Sequence, residues 1–164
     1  MGWLSTLAKG RADEVHEILA PLIRAGLKPS KSMSGAILVI AANGTDVLFQ
    51  ETAHYGGDDY HVEMDLLSKL FDWTKDVLGA PFFLPANCKV YLYVYNSPCK
   101  KCTVKLARAL AWSWRKGKNG TVTWKVGFSQ WYTGGGPDRY FNNMAASQAY
   151  GNMLAPAGWS IKKV

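Results

Sequence analysis

Residues 90–95, Val-Tyr-Leu-Tyr-Val-Tyr, form an apolar run of strand length that breaks at Asn96-Ser97-Pro98. Cys99 and Cys102 follow, and a helical pattern then runs from Thr103 to Trp114. Two thiols three positions apart on a first helical turn have Cβ atoms about 5–6 Å apart on one face. Both sulfurs can then reach one metal ion at about 2.3 Å. The helix N-terminus and the neighbouring Lys100 and Lys101 favour the thiolate form that a metal requires. Two sulfurs do not complete a coordination shell. A third ligand is available in His61-Val62-Glu63, which opens a second helical stretch reaching to about Leu78. Leu66, Leu67, Leu70, Trp73, Val77 and Leu78 supply its apolar contacts, and Gly79 and Pro81 end it.

Three protein ligands, His61, Cys99 and Cys102, leave the fourth tetrahedral position of a zinc ion for water, the pattern of catalytic rather than structural sites. Zinc lowers the pKa of such a water toward neutrality. Glu63, two residues beyond His61, can lean over the open position from the first helical turn and carry a proton. Two other readings compete. A Cys-x-x-Cys pair at a helix start also describes a thioredoxin-like redox couple, which leaves His61 and Glu63 unused. A closed structural zinc needs a fourth ligand, for which His54 and Cys88 are available.

His-x-Glu followed by Pro-Cys-x-x-Cys, here His61-Val62-Glu63 and Pro98-Cys99-Lys100-Lys101-Cys102, is the signature of zinc nucleobase deaminases. The chain therefore resembles the cytidine deaminase superfamily, most closely its AID/APOBEC-like, polynucleotide-acting branch. The resemblance covers residues 35–164 by element order, with only the two metal motifs specific. It implies one catalytic zinc, Glu63 as the proton shuttle, and conversion of cytosine to uracil in single-stranded DNA or RNA, DNA favoured. It also implies that the Val62 backbone N–H contacts the base carbonyl and that the Ser97 carbonyl accepts from the exocyclic amine. Trp131 and Tyr132 match the loop whose aromatics lie beside the target base, where stacking is worth about 1–3 kcal/mol per base. Two departures from the family pattern bear on the substrate. Asn96 stands where relatives carry Trp, so the pocket wall is more polar or is supplied by Tyr95. No Asn lies between Phe49 and Tyr60 to hold the sugar, which leaves Gln50, Thr52 or His54.

The fold expected is α/β, a cytidine-deaminase-like five-stranded mixed sheet sandwiched by helices with the last two strands parallel. One domain spans residues 1–164, with an N-terminal helical segment at 1–34 and a core at 35–164. Ala12 to Ala25 is amphipathic through Val15, Ile18, Leu19, Leu22 and Ile23, with Pro21 kinking or breaking it. Strands are expected at Ala36–Ala42, Asp46–Gln50, Lys89–Tyr95, Thr121–Phe128 and Gly158–Val164. Asn43-Gly44 makes a hairpin of the first two. Glu51–Tyr60 and Ser129–Pro137 read as loops, and Asp138 to about Asn152 as a helix. A helix between the last two strands makes them parallel by a right-handed crossover.

The net charge of +7 is unevenly distributed. Residues 77–137 contain nine of the 19 Lys and Arg and none of the 12 acids. A basic half rich in aromatics is the footprint of a polyanion binder, although a solvated helix face beside an ordinary core gives the same count. No apolar run approaches the ~18 residues of a membrane span, and Met1–Thr6 lacks a signal-peptide core. With Cys99 and Cys102 on a metal, only Cys88 remains, so no disulfide framework forms, which favours an intracellular setting. The functional alternatives are a deaminase of the same fold acting on adenosine or on free cytidine or its nucleotide, or a catalytically silent nucleic-acid-binding module that keeps zinc for folding.

Overall fold

The computed structural model describes residues 18–27, 34–54, 62–96, 122–130 and 159–163. They form an α/β structure built on a mixed sheet. The elements are α1 (Ala20–Arg24), β1 (Gly35–Ile40), β2 (Val47–Ala53), α2 (Val62–Asp76), β3 (Lys89–Asn96), β4 (Thr123–Gln130) and β5 (Trp159–Lys163). The strand order is β2-β1-β3-β4-β5. β1 is antiparallel to both β2 and β3, whereas β3–β4 and β4–β5 are parallel. The expected α/β class and parallel last strands are thus present.

The first hairpin closes as its turn residues dictate. Gly44 takes φ +81, a conformation that costs glycine little. The Asn43 Oδ1 accepts the Thr45 and Asp46 backbone N–H groups at 2.9 and 3.0 Å, and its Nδ2 donates to Asp46 Oδ2 at 2.7 Å. Local side-chain bonding of this kind holds a turn without tertiary help.

β3 lies in the middle of the sheet, and its alternation divides the core into two layers. Val90, Leu92 and Val94 share one cluster with Ile37, Val39, Leu66, Leu70, Trp124, Val126 and Phe128, packed under α2. Tyr91 and Tyr93 share the other with Ala36, Leu38, Ile40, Ile18, Leu19 and Leu22, packed under α1. Both faces of the central strands are therefore covered, which is why 90–95 reads as a continuous apolar run. Pro21, lacking an N–H, stands in the first turn of α1, where its missing donor costs nothing. The part of the expected Ala12–Ala25 segment before Ile18 lies outside the described residues, as do the expected helices over 103–114 and 138–152.

Of the boundaries that differ from those expected, three bear on the packing. β2 continues through Glu51, Thr52 and Ala53, paired with Ile37, Ala36 and Gly35, so the ladder holds positions that polarity alone reads as loop. β4 likewise includes Ser129 and Gln130, and Asn96 pairs with Gln130. At the other extreme, α2 stops at Asp76, and Gly79 at φ +72 takes the chain away. Val77 and Leu78 consequently stay exposed, Val77 at 70%. Thr74 is buried in their stead, its Oγ1 donating to Phe71 O at 2.9 Å and accepting the Phe82 N–H at 3.2 Å. Trp73 is half-buried and stacks on Phe49 with ring centroids 5.1 Å apart.

Leu70→Ala should therefore lower the unfolding free energy by about 2–5 kcal/mol, because it empties a fully enclosed site. Val77→Ala should change it by no more than about 0.5 kcal/mol. Urea denaturation followed by circular dichroism reads both, and equal losses would contradict the helix end described here.

Candidate functional site

The registers of the five strands align one transverse row, Ala53, Gly35, Val94, Phe128 and Lys163. Beyond that row the chain leaves or enters the sheet on a single edge. His54 follows β2, Ser34 precedes β1, Asn96 ends β3 and Gln130 ends β4. The first turn of α2 meets the same edge, because Val62 packs over Gly35. His61, Ser97, Cys99, Cys102, Trp131 and Tyr132 lie outside the described residues. His61 directly precedes α2, Ser97 directly follows β3 and Trp131 directly follows β4 in the chain. Three described element ends adjoining the proposed site are thus gathered on one edge, contributed by a helix start and two parallel strand ends. The carboxyl ends of strands are where open α/β sheets hold their ligands.

Val62 and Glu63 are the two expected site residues that the described structure contains. Val62 is buried and serves packing through its side chain, leaving only its backbone for a ligand. Glu63 is 6% exposed. No described residue gives its carboxylate a hydrogen bond or an ion pair, in contrast to Asp65, which meets Lys69 at 3.2 Å. An enclosed carboxylate in a first helical turn is the kind of group that would fit beside a cation-bound water, which is the respect in which these residues fit a zinc ion. No group of three or more His, Cys, Asp or Glu side chains able to hold a metal occurs among the described residues, which do not include the three expected ligands.

The direction of β3 removes one of the alternatives open from sequence. Cys88 immediately precedes β3, whereas Cys99 lies beyond the far end of that strand. The eight residues from Cys88 to Asn96 span about 26 Å at strand rise. Three further residues can return at most about 11 Å. Cys88 and Cys99 therefore cannot share one zinc. The Cys88 thiol is fully buried in the α2-side core and burial pushes its pKa up to about 12, so it is not a free nucleophile near neutral pH. His54, exposed on the same edge as the α2 start, keeps its place as a possible neighbour of the site.

Two further expectations are corrected by side-chain alternation. Gln50 and Thr52 pair with Leu38 and Ala36, whose side chains belong to the α1 layer, so both stand on the sheet face opposite α2. His54 directly follows β2 at the edge where α2 begins. Tyr95 belongs to the same alternating set as Tyr91 and Tyr93, facing away from α2, and cannot wall a pocket over Glu63. Its N–H instead ties β3 to the Ser34 carbonyl at 2.7 Å. Sequence reasoning also missed the Tyr93 hydroxyl, which meets Ser129 Oγ at 2.5 Å and anchors the last residues of β4. Burial holds the Tyr93 pKa above the ordinary phenol value, with the Ser129 bond working the other way. The contact depends on the β3–β4 register, in which Ser129 follows Gly127, the partner of Tyr93, by two positions.

No family model matches the chain, and comparison with curated proteins gives no match. Among the described residues no helix is long and apolar enough to cross a membrane.

Cys88 makes a pH prediction. Its folded pKa of about 12 exceeds the ordinary value of 9.0, so proton binding favours the folded state. That contribution is complete below pH 9.0 and is lost as pH rises toward about 12. Urea midpoints measured across this range should fall with pH, and Cys88→Ala should flatten the fall. A slope unchanged in the variant would mean that Cys88 is not the group responsible.

Proposed function

We propose that this chain is a zinc-dependent deaminase that hydrolyses cytosine to uracil in single-stranded nucleic acid, DNA favoured over RNA, on a cytidine-deaminase-like five-stranded fold. The observation that carries the reading is the buried Glu63 carboxylate at the edge where α2 begins and β3 and β4 end. A purely structural metal site has no use for a carboxylate there. The ordered pair of motifs, His-x-Glu and Pro-Cys-x-x-Cys, supports the same reading from the sequence.

His61, Cys99 and Cys102 are the residues that would hold zinc. When bound, zinc acts as a Lewis acid that makes water a nucleophile near neutral pH. Glu63 accepts the proton that water loses as its oxygen bonds to C4 of cytosine, and it delivers protons to the ring nitrogen and to the departing amine. The C4–N bond breaks, ammonia leaves and the C4 carbonyl of uracil remains. The Val62 N–H donates to the base carbonyl, and the Ser97 carbonyl accepts from the exocyclic amine. Trp131 and Tyr132 stack on the target and its neighbour, while the acid-free stretch 77–137 follows the phosphate backbone. The target must be unpaired, because C4 is out of reach within a duplex.

Incubation with single-stranded DNA, single-stranded RNA, duplex DNA and free cytidine, scoring C-to-U and A-to-I separately, tests the assignment. C-to-U conversion on single strands, falling steeply with salt, is the expected result. Conversion confined to free cytidine, or A-to-I alone, would replace the substrate, and no conversion with zinc bound would leave a binding module. Glu63→Gln should retain zinc and the circular dichroism spectrum while kcat drops by at least about 100-fold. An active variant would remove Glu63 from the chemistry.

A further inference from the structure

The seat of the α2 first turn is set by a single residue whose side chain is missing. Gly35 heads β1 between Ala53 and Val94. A Cβ placed on Gly35 would overlap Val62 Cγ1 and come within 3.1 Å of both Leu66 Cδ1 and the Tyr93 carbonyl oxygen. The first of these is impossible without movement, and the carbonyl belongs to the central strand, which cannot give way. Either the Val62 side chain must leave its rotamer or the helix must lift. Just before Gly35, Ser34 adopts φ 58, uncommon for a non-glycine residue. Its carbonyl accepts the Tyr95 N–H at 2.7 Å, so the entry to β1 is fixed to the last residues of β3. Gly35 therefore touches both halves of the edge. On one side lies Val62, between His61 and Glu63; on the other lies Val94, two residues before the end of β3 and five before Cys99.

We propose that Gly35 is a positioning residue. Its bare Cα lets α2 rest on the sheet at the height where His61 and Glu63 can act together with Cys99 and Cys102. The proposal rests on the deaminase reading for its catalytic meaning, though not for the seat itself. By contrast, Gly26, Gly44 and Gly79 have open space around the position of a Cβ.

A double-mutant cycle tests it, using Gly35→Ala, Val62→Ala and the pair together in the full chain. Val62→Ala removes the atom with which the new methyl would collide. Hydrogen exchange of the amides in residues 62–66 reads the seat directly and needs neither zinc nor turnover. Gly35→Ala should speed exchange there by at least about tenfold, and the added Val62→Ala should reverse most of that change. In the zinc-loaded enzyme Gly35→Ala should lower kcat by about 100-fold, the penalty of a displacement near 1 Å, with KM within about threefold. The same substitution made on the Val62→Ala background should cost at least tenfold less. The absorption of the cobalt-substituted protein should change in Gly35→Ala and return toward that of Val62→Ala in the pair. Should Gly35→Ala not fold, Val62→Ile enlarges the same contact from the helix side and should lower kcat in the same manner. Wild-type exchange in Gly35→Ala, or costs equal on both backgrounds, overturns the seat. A displaced helix with unchanged kcat overturns the positioning role. An inactive wild-type enzyme with the exchange cycle intact would instead count against the deaminase reading, leaving Gly35 as the seat of the helix alone.

Discussion

The backbone pairing of β3 governs the rest of the molecule. As the central strand it runs antiparallel to β1 and parallel to β4, and its side chains alternate between the α2 and α1 layers. A shift of one residue would exchange Val90, Leu92 and Val94 with the tyrosines and expose the wrong set on each face, so the register is held strongly. That register decides which chain ends lie together. Ala53, Gly35, Val94 and Phe128 fall in one row, and the start of α2 is drawn to the same edge by the contact of Val62 with Gly35. Cys88 is sent to the opposite edge by the same strand.

Assembly of an edge is not yet chemistry. What distinguishes this edge is that the helix beginning there encloses a glutamate in its first turn, with no hydrogen bond or ion pair to it from the described residues. Elsewhere the structure handles polar groups conventionally. Lys69 bridges Asp65 and the Thr52 carbonyl, Thr74 bonds the backbone on both sides, and Tyr93 meets Ser129. Glu63 stands apart from that pattern, and the proposed reading gives it proton transfer beside a metal-bound water.

The parts of this structure that were legible in the sequence are those specified by near neighbours. Asn43 and Gly44 encode their turn through local bonds, and Gly79 encodes the exit from α2. Strand ends were less legible. Glu51, Thr52, Ser129 and Gln130 are polar yet hold ladder positions, because backbone pairing with a neighbouring strand outweighs what side-chain polarity indicates. Val77 and Leu78 fit the apolar helical period and are nevertheless exposed, because the helix ends before reaching them. The role of Gly35 was invisible for a different reason: it arises from contact with a helix 27 positions later, and no local pattern marks it. The faces taken by Gln50, Thr52 and Tyr95 likewise required the register.

The proposed centre holds one ion through His61, Cys99 and Cys102 with one position left to solvent. X-ray absorption at the zinc edge, with metal content measured on the same sample, tests that directly. One zinc per chain with two sulfur ligands near 2.3 Å, one imidazole nitrogen and one light atom lost or exchanged on adding a small anion is the expected result. A chain without zinc, or a zinc closed by four protein ligands, would contradict it.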